Sequence, residues 1–194
     1  MKLLHVDAGI TGEGSVSRQL SSAIVETLVR DNPGLEVVRR DLDADPIPHL
    51  DSGNLGSSAG EVVLQEFLDA DVVVVGAPMY NLGIPSQLKA WFDRISVAGR
   101  TFRYTAEGPQ GLAGGKTVII ASARGGFYTP GTPQAEADFH EPYLKALFRF
   151  LGVEDVSIVR AEGVAVSPEH RKAALETAFA AAAELAGHTP ALAA

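Results

Sequence analysis

A parallel, doubly wound α/β sheet follows from three features of this 194-residue chain. Short apolar runs alternate with segments of helical periodicity from one end to the other, the pattern of strands joined by crossover helices. One run, Val72-Val73-Val74-Val75, is apolar at every position. A strand of that kind has to be covered on both faces, as central parallel strands are. Three of the apolar runs lead into loops of unusual composition, where sheets of this class carry their ligands.

Taken in order, Lys2 to Val6 predicts the first strand, followed by a Gly/Ser-rich loop over Ala8 to Ser15. Leu20, Ile24 and Leu28 recur every four residues and predict a helix stopped by Asn32-Pro33-Gly34. Leu35 to Val38 is the second strand. Val62, Val63, Phe67 and Leu68 mark a short helix leading into the valine strand. Beyond Pro78 and Pro85, the residues Leu88, Trp91, Phe92 and Ile95 form another helical face. Thr101 to Thr105, followed by Ala106-Glu107-Gly108-Pro109, predicts a β-hairpin arm. Thr117 to Ala121 is the fourth strand, and a long loop with Gly125, Gly126, Pro130, Gly131 and Pro133 follows it. Tyr143, Leu144, Leu147 and Leu151 mark a helix, Val156 to Val159 a fifth strand, and Ala173 to Leu185 a closing helix. Five strands joined by right-handed crossovers predict the flavodoxin-like order 2-1-3-4-5, with ligands near the switch point between strands 1 and 3. With no internal repeat and no long linker, residues 1–188 are expected to form a single domain, and the alanine-rich tail over 189–194 to fray.

Composition excludes several functions. The chain is 46% hydrophobic and 21% charged, neither disordered nor membrane-like, and its net charge is −8. Residues 1–97 hold seven basic and fourteen acidic side chains, so a nucleic acid would meet no basic stripe there. There is no cysteine, hence no disulfide, thiolate metal site or dithiol redox centre. Any redox work needs a borrowed cofactor. The apolar start is too short for a signal peptide and no run spans a membrane, which predicts a cytoplasmic protein. Asp41, Asp43, Asp45 and Asp51 miss the EF-hand register and are expected in a solvated loop. His5, His49, His170 and His188 show no metal-ligand spacing, and Ser122 lacks a nucleophile-elbow context. No catalytic side chain and no metal ligand is assigned.

The first loop, Asp7-Ala8-Gly9-Ile10-Thr11-Gly12-Glu13-Gly14-Ser15-Val16-Ser17-Arg18, delivers serines to the start of a helix. Unpaired N–H groups and the positive dipole end lie there, so hydroxyls and glycine-freed backbone can cradle a phosphate, with Arg18 adding charge. The competing reading is a flexible loop ending in a serine N-cap. The loop matches neither the dinucleotide fingerprint nor the P-loop. Gly111-Leu112-Ala113-Gly114-Gly115-Lys116-Thr117 is one residue short between its outer glycines and precedes a strand, which excludes a nucleoside triphosphate site. The third strand ends in Gly76-Ala77-Pro78-Met79-Tyr80-Asn81-Leu82-Gly83-Ile84-Pro85, presenting an aromatic, an amide and a thioether together, a surface suited to a planar heteroaromatic ring. The fourth ends in Ser122-Ala123-Arg124-Gly125-Gly126, where adjacent glycines allow close backbone approach to a ligand.

Ser15-Val16-Ser17, Ala77-Pro78-Met79-Tyr80-Asn81, Ile84-Pro85-Ser86-Gln87-Leu88-Lys89, Gly99-Arg100-Thr101-Phe102-Arg103-Tyr104-Thr105 and Arg124-Gly125-Gly126 together resemble the FMN-dependent NADH-azoreductase family of flavodoxin-like NAD(P)H:quinone oxidoreductases. The resemblance runs through Tyr143-Leu144 and Phe150-Leu151-Gly152 to Ala161-Glu162-Gly163, most of the chain. It implies a homodimer with FMN at the subunit interface and ping-pong transfer of hydride from NADH or NADPH to quinones or azo compounds. By motif matching, Gly9, Ser15, Val16 and Ser17 would hold the phosphate and ribityl side. Met79, Tyr80, Asn81 and Leu82, with Ala123, Arg124, Gly125 and Gly126, would hold the isoalloxazine. Gly9 and Ala123 stand where serine is common in the family, which removes two hydroxyl contacts, and the segment between Leu50 and Glu61 is short.

Phe102, Tyr128 and Phe139 are candidates to wall the acceptor pocket, against ordinary packing as the competing reading. His140 is a candidate for the flavin edge, or else a surface or helix-start residue. The alternative function is a flavodoxin-type electron carrier without small-molecule turnover, which would leave the arm and the 127–140 loop unexplained. A regulatory protein of the same fold that has lost FMN is a further alternative.

Overall fold

Five parallel strands, β1 (Lys2–Asp7), β2 (Glu36–Asp41), β3 (Val72–Pro78), β6 (Thr117–Arg124) and β7 (Asp155–Glu162), lie in the order β2-β1-β3-β6-β7. That is the expected 2-1-3-4-5 arrangement, with the β4 (Phe102–Thr105) and β5 (Gly108–Gly111) hairpin forming a separate antiparallel pair. The computed structural model describes residues 1–54 and 57–188, with side chains to residue 185. The tail expected to fray, 189–194, lies outside the described residues, as does part of the short segment after Leu50.

Alternating side chains of the strands feed two cores. Leu4, Val6, Val73 and Val75 point to one face, which α2 (Ser58–Asp69), α3 (Ser86–Ile95) and α4 (Glu141–Phe150) cover. Leu3, Val72 and Val74 point to the other, covered by α1 (Val16–Asp31) and α5 (Pro168–His188). Leu20, Ile24 and Leu28, the periodic positions of α1, are fully buried there. On the opposite face Trp91 meets Phe67 and Phe92 edge-on at 5.9 and 5.0 Å. Each such pair adds about 1 kcal/mol beyond its area burial.

All five parallel strands run further at their carboxyl ends than their apolar runs suggest. β3 continues through Gly76↔Ala121, Ala77↔Ser122 and Pro78↔Ala123, and β6 through Ser122↔Arg160, Ala123↔Ala161 and Arg124↔Glu162. Backbone pairing needs no apolar side chain, so hydropathy alone ends these strands too early. β2 likewise extends to Asp41, its register with β1 reaching Asp7↔Asp41. This corrects one expectation: Asp41 is the end of an edge strand and not part of a solvated loop. Asp43, Asp45 and Asp51 are exposed as expected.

The hairpin arm is seated by backbone contact with the turn after α4. A Cβ on Gly111 would lie 2.1 Å from the Gly152 nitrogen, so only glycine permits this approach. Phe102, at the root of the arm, packs 4.5 Å from the Phe150 ring.

Candidate cofactor cleft at the carboxyl edge of the sheet

The loops after β1, β3 and β6 meet at one edge of the sheet. Ser15 N-caps α1, and its buried hydroxyl lies 3.1 Å from that of Ser17, which is also buried. Gly9 sits against both hydroxyls, and a Cβ there would lie only 2.2 Å from Ser15 Oγ. Two hydroxyls thus meet Gly9 at a helix N-terminus, where backbone N–H groups lack intrahelical partners.

Arg18 is committed elsewhere. Its Nη1 and Nη2 donate to Asp41 Oδ2 and Oδ1 at 2.6 and 2.5 Å, and its Nε donates to the Gly9 carbonyl at 2.7 Å. Its charge therefore holds the loop in shape, and the guanidinium keeps the Asp41 carboxyl well below the usual carboxylate range. One turn further along α1, Ser21 donates to Asp7 Oδ1 at 2.7 Å and lies 2.9 Å from His5 Nε2. Burial pushes the Asp7 carboxyl up, but His5, Ser21 and Arg18 outweigh it and leave it below its ordinary value. Among the described residues no group of histidine and carboxylate side chains is placed to hold a metal ion.

After β3 the chain reverses through a two-residue turn. Tyr80 N–H donates to the Gly83 carbonyl at 2.9 Å and Gly83 N–H returns to the Tyr80 carbonyl at 3.1 Å. The central residues, Asn81 and Leu82, both have positive φ, 48° and 72°. Asparagine tolerates that conformation and leucine does not, at roughly 1–2 kcal/mol. Two bonds tie this turn to its neighbours: Ile10 N–H donates to Tyr80 Oη at 3.2 Å, and Met79 N–H donates to the Ala123 carbonyl at 2.8 Å. The Phe139 N–H reaches the Leu82 carbonyl at 3.2 Å. An open cleft of about 700 Å³ runs beside the turn, lined by Ile10, Tyr80, Asn81, Phe139 and Tyr143 together with Ile84 to Gln87 at the start of α3.

At the end of β6, Ala123 and Arg124 belong to the strand, and Gly125 and Gly126 form the loop. The loop carbonyls of Gly125 and Gly126 accept from Ala165 and Gly163 N–H at 3.1 and 3.0 Å, which fixes the backbone. The Arg124 side chain is fully buried and turned inward, so at this position only the backbone faces the loop cluster. Arg124 Nη1 donates to Asp138 Oδ2 at 2.6 Å, and its Nη2 lies 2.7 Å from Glu162 Oε1.

The candidates for the acceptor wall separate. Phe139 is 64% exposed at the cleft. Phe102 is 8% exposed and packs in the core at the arm's root. Tyr128 is half-buried beside Gly126, 5.9 Å from the Arg124 guanidinium. His140 is fully buried at the start of α4. Burial pushes its pKa down to about 4 against the pull of Glu141 and Asp138. Ile10, Ile84, Gln87 and Tyr143 line the cleft although no motif reading singled them out as binding residues. Isolated apolar and amide side chains carry no spacing signal, and only convergence in space reveals them.

The chain matches the Flavodoxin_2 family, described as a flavodoxin-like fold, over residues 1–186. It is 58% identical over 190 residues to FMN-dependent NADH:quinone oxidoreductase 1 of Xanthomonas axonopodis pv. citri, covering 95% of this chain and 96% of that protein. It is 56% identical over 187 residues to FMN-dependent NADH:quinone oxidoreductase of Stenotrophomonas maltophilia, covering 93% and 94%. Among solved structures, an FMN-dependent NADH-azoreductase from Bacillus anthracis in complex with FMN superposes with a TM-score of 0.88 at 30% identity, covering 96% and 97% of the two chains. A fold with this strand order, loops meeting where the order reverses, and relatives of this similarity lead to one conclusion: the chain belongs to the Flavodoxin_2 family of flavodoxin-like proteins.

Proposed function

We propose that this protein is an FMN-dependent oxidoreductase that transfers hydride from NADH or NADPH to quinones or azo compounds by a ping-pong mechanism. The observation that carries this reading is the joining of the three strand-end loops through Ile10 N–H to Tyr80 Oη and Met79 N–H to the Ala123 carbonyl. The names of the relatives at 56–58% identity supply the activity.

The residues present fit FMN. The Gly9 position admits no side chain beside two buried hydroxyls at a helix N-terminus, the donor chemistry that a phosphate takes. FMN supplies the hydride-transfer chemistry, for which this chain has no side chain. Gly9, Ser15, Val16 and Ser17 would hold its phosphate and ribityl side through hydroxyls and helix N–H groups. The Met79–Leu82 turn would contact its ring, while the Ala123–Gly126 backbone would stabilise negative charge developing at the ring's pyrimidine edge. Phe139, with Tyr80, would present apolar surface to a flat acceptor and exclude water there. Protons can come from solvent through the open cleft.

The same reading makes residues 1–188 one domain, the assembly a homodimer with FMN at the subunit interface, and the location cytoplasmic, with no nucleic-acid partner. Among the described residues no helix is long and apolar enough to cross a membrane. The test is NADH oxidation by the purified protein with added FMN and a soluble quinone. Turnover that depends on FMN supports the reading. FMN binding without turnover would favour an electron carrier, and no FMN binding would overturn it.

A further inference from the structure

Arg124 is the largest charged side chain among those fully buried, and it lies directly behind the loop cluster. It grips both ends of the 127–140 segment. At the near end it pairs with Glu162, whose Oε1 accepts from the N–H groups of Tyr128 and Thr129 at 2.7 and 3.1 Å and whose other oxygen accepts from the Thr129 hydroxyl. At the far end it pairs with Asp138, whose Oδ1 accepts from the His140 and Glu141 N–H groups at 3.0 and 3.1 Å at the start of α4. Glu141, 3.4 Å from Arg124 Nη2, is held separately by Arg160 Nε and Ser122 Oγ, each at 2.8 Å. Between Asp138 and His140 stands Phe139, whose ring is at the cleft and whose own N–H is shared between the Leu82 and Ala137 carbonyls at 3.2 and 3.1 Å.

We propose that Arg124 is a positioning residue for acceptor binding: acting through Asp138, it holds Phe139 at the rim of the cleft and thereby sets the affinity for a flat electron acceptor. This rests on the reading of the cleft as the acceptor site. A guanidinium suits the task because its Nη1 donates to Asp138 while its Nη2 lies against Glu162, a spread of charge that a compact lysine ammonium does not reproduce. The Gly125-Gly126 backbone has its own bonds to Gly163 and Ala165 and does not depend on the pair. The effect is therefore on the acceptor more than on FMN.

Removing one partner of a buried ion pair destabilises a protein whatever its role, so stability alone does not test the idea. The deciding experiment is a double-mutant cycle on acceptor KM, with Arg124→Met and Asp138→Asn each made alone and in a Phe139→Ala background, using one soluble quinone and saturating NADH. Each substitution alone is expected to raise quinone KM about tenfold and to have no further effect once Phe139 is alanine, and in Asp138→Asn kcat and FMN Kd are expected to change less than about threefold. Equal effects in both backgrounds would overturn the proposal. Asp138→Asn keeps an oxygen for the N–H groups at the start of α4, so it carries the test if Arg124→Met does not fold. Amide hydrogen exchange of the apoprotein supplies a readout independent of turnover: exchange at Phe139 is expected to quicken at least tenfold in Asp138→Asn, and unchanged exchange would overturn the proposal. Wild-type protein without quinone reduction would instead overturn the acceptor-site reading, leaving the exchange result to judge the role of Arg124.

Discussion

Gly9 and Ser15 are mutually exclusive in the space they share: a Cβ on Gly9 would stand 2.2 Å from Ser15 Oγ and 3.2 Å from Ser17 Oγ. The hydroxyl that serves the cradle is presented from the helix cap, in the volume a side chain on the strand-end loop would take. Gly9→Ala is therefore expected to push Ser15 Oγ away from Ser17 and to raise the FMN Kd about tenfold, the worth of one hydrogen bond. Gly9→Ser is expected to do no better. Fluorescence titration of apoprotein with FMN checks both; an unchanged Kd for Gly9→Ala would contradict the cradle.

Leu82 occupies a left-handed conformation at φ 72° with 40% of its surface exposed. Glycine removes the strain and loses little burial, so Leu82→Gly is expected to stabilise the fold by about 0.5–1 kcal/mol. Leu82→Val, β-branched at positive φ, is expected to destabilise it by at least as much. Urea unfolding of the two variants beside wild type measures the difference, and the reverse order would show that the turn is not strained as described.

His140 is buried with its pKa held down to about 4, mainly by desolvation. The unfolded chain, with an ordinary value near 6.5, binds a proton across the interval between the two values that the folded chain does not. Stability is thus fully present above about pH 6.5 and declines as pH falls through that window, by about 2 kcal/mol between pH 7 and 5. His140→Leu is expected to lose most of this slope. Urea unfolding at the two pH values provides the check, and an equal slope in the variant would assign the loss to other groups.

Asp41 is shifted in the same direction for the opposite reason, its charged form being favoured by the bidentate Arg18 pair and by the N–H groups of Ala44 and Asp43. A depressed carboxylate contributes stability above its unfolded pKa near 4 and loses it as pH falls toward the lower folded value. Solvent screening limits the contribution to about 1 kcal/mol. Asp41→Asn is expected to cost that much at pH 7 and progressively less as pH is lowered below about 4, by denaturant unfolding; a cost independent of pH would mean the pair acts by shape and not by charge.

Much of the fold was legible because hydrophobic periodicity is a local property. The run Val72 to Val75 marks a doubly covered strand wherever it occurs, and Leu20, Ile24 and Leu28 mark one buried helical face. The three loops were legible as well, since glycine pairs, proline and helix-start serines have few other uses at strand ends. Strand ends were not, because Gly76 to Pro78 and Ser122 to Arg124 are held by backbone pairing with neighbours distant in sequence.

Side-chain direction is where sequence and tertiary structure part. From residue types alone, Arg18 and Arg124 are two cations beside candidate ligand loops, and Phe102, Phe139 and His140 are equivalent candidates for a pocket wall. Packing turns Arg18 to Asp41 and Arg124 to Asp138 and Glu162, buries Phe102 and His140, and leaves Phe139 exposed at the cleft. The sequence by itself determined the sheet, its order, the loops that meet and the need for a borrowed redox group. The tertiary structure alone decided which charges are free and which are paired, because desolvation and ion pairing depend on segments that only folding brings within a few ångströms.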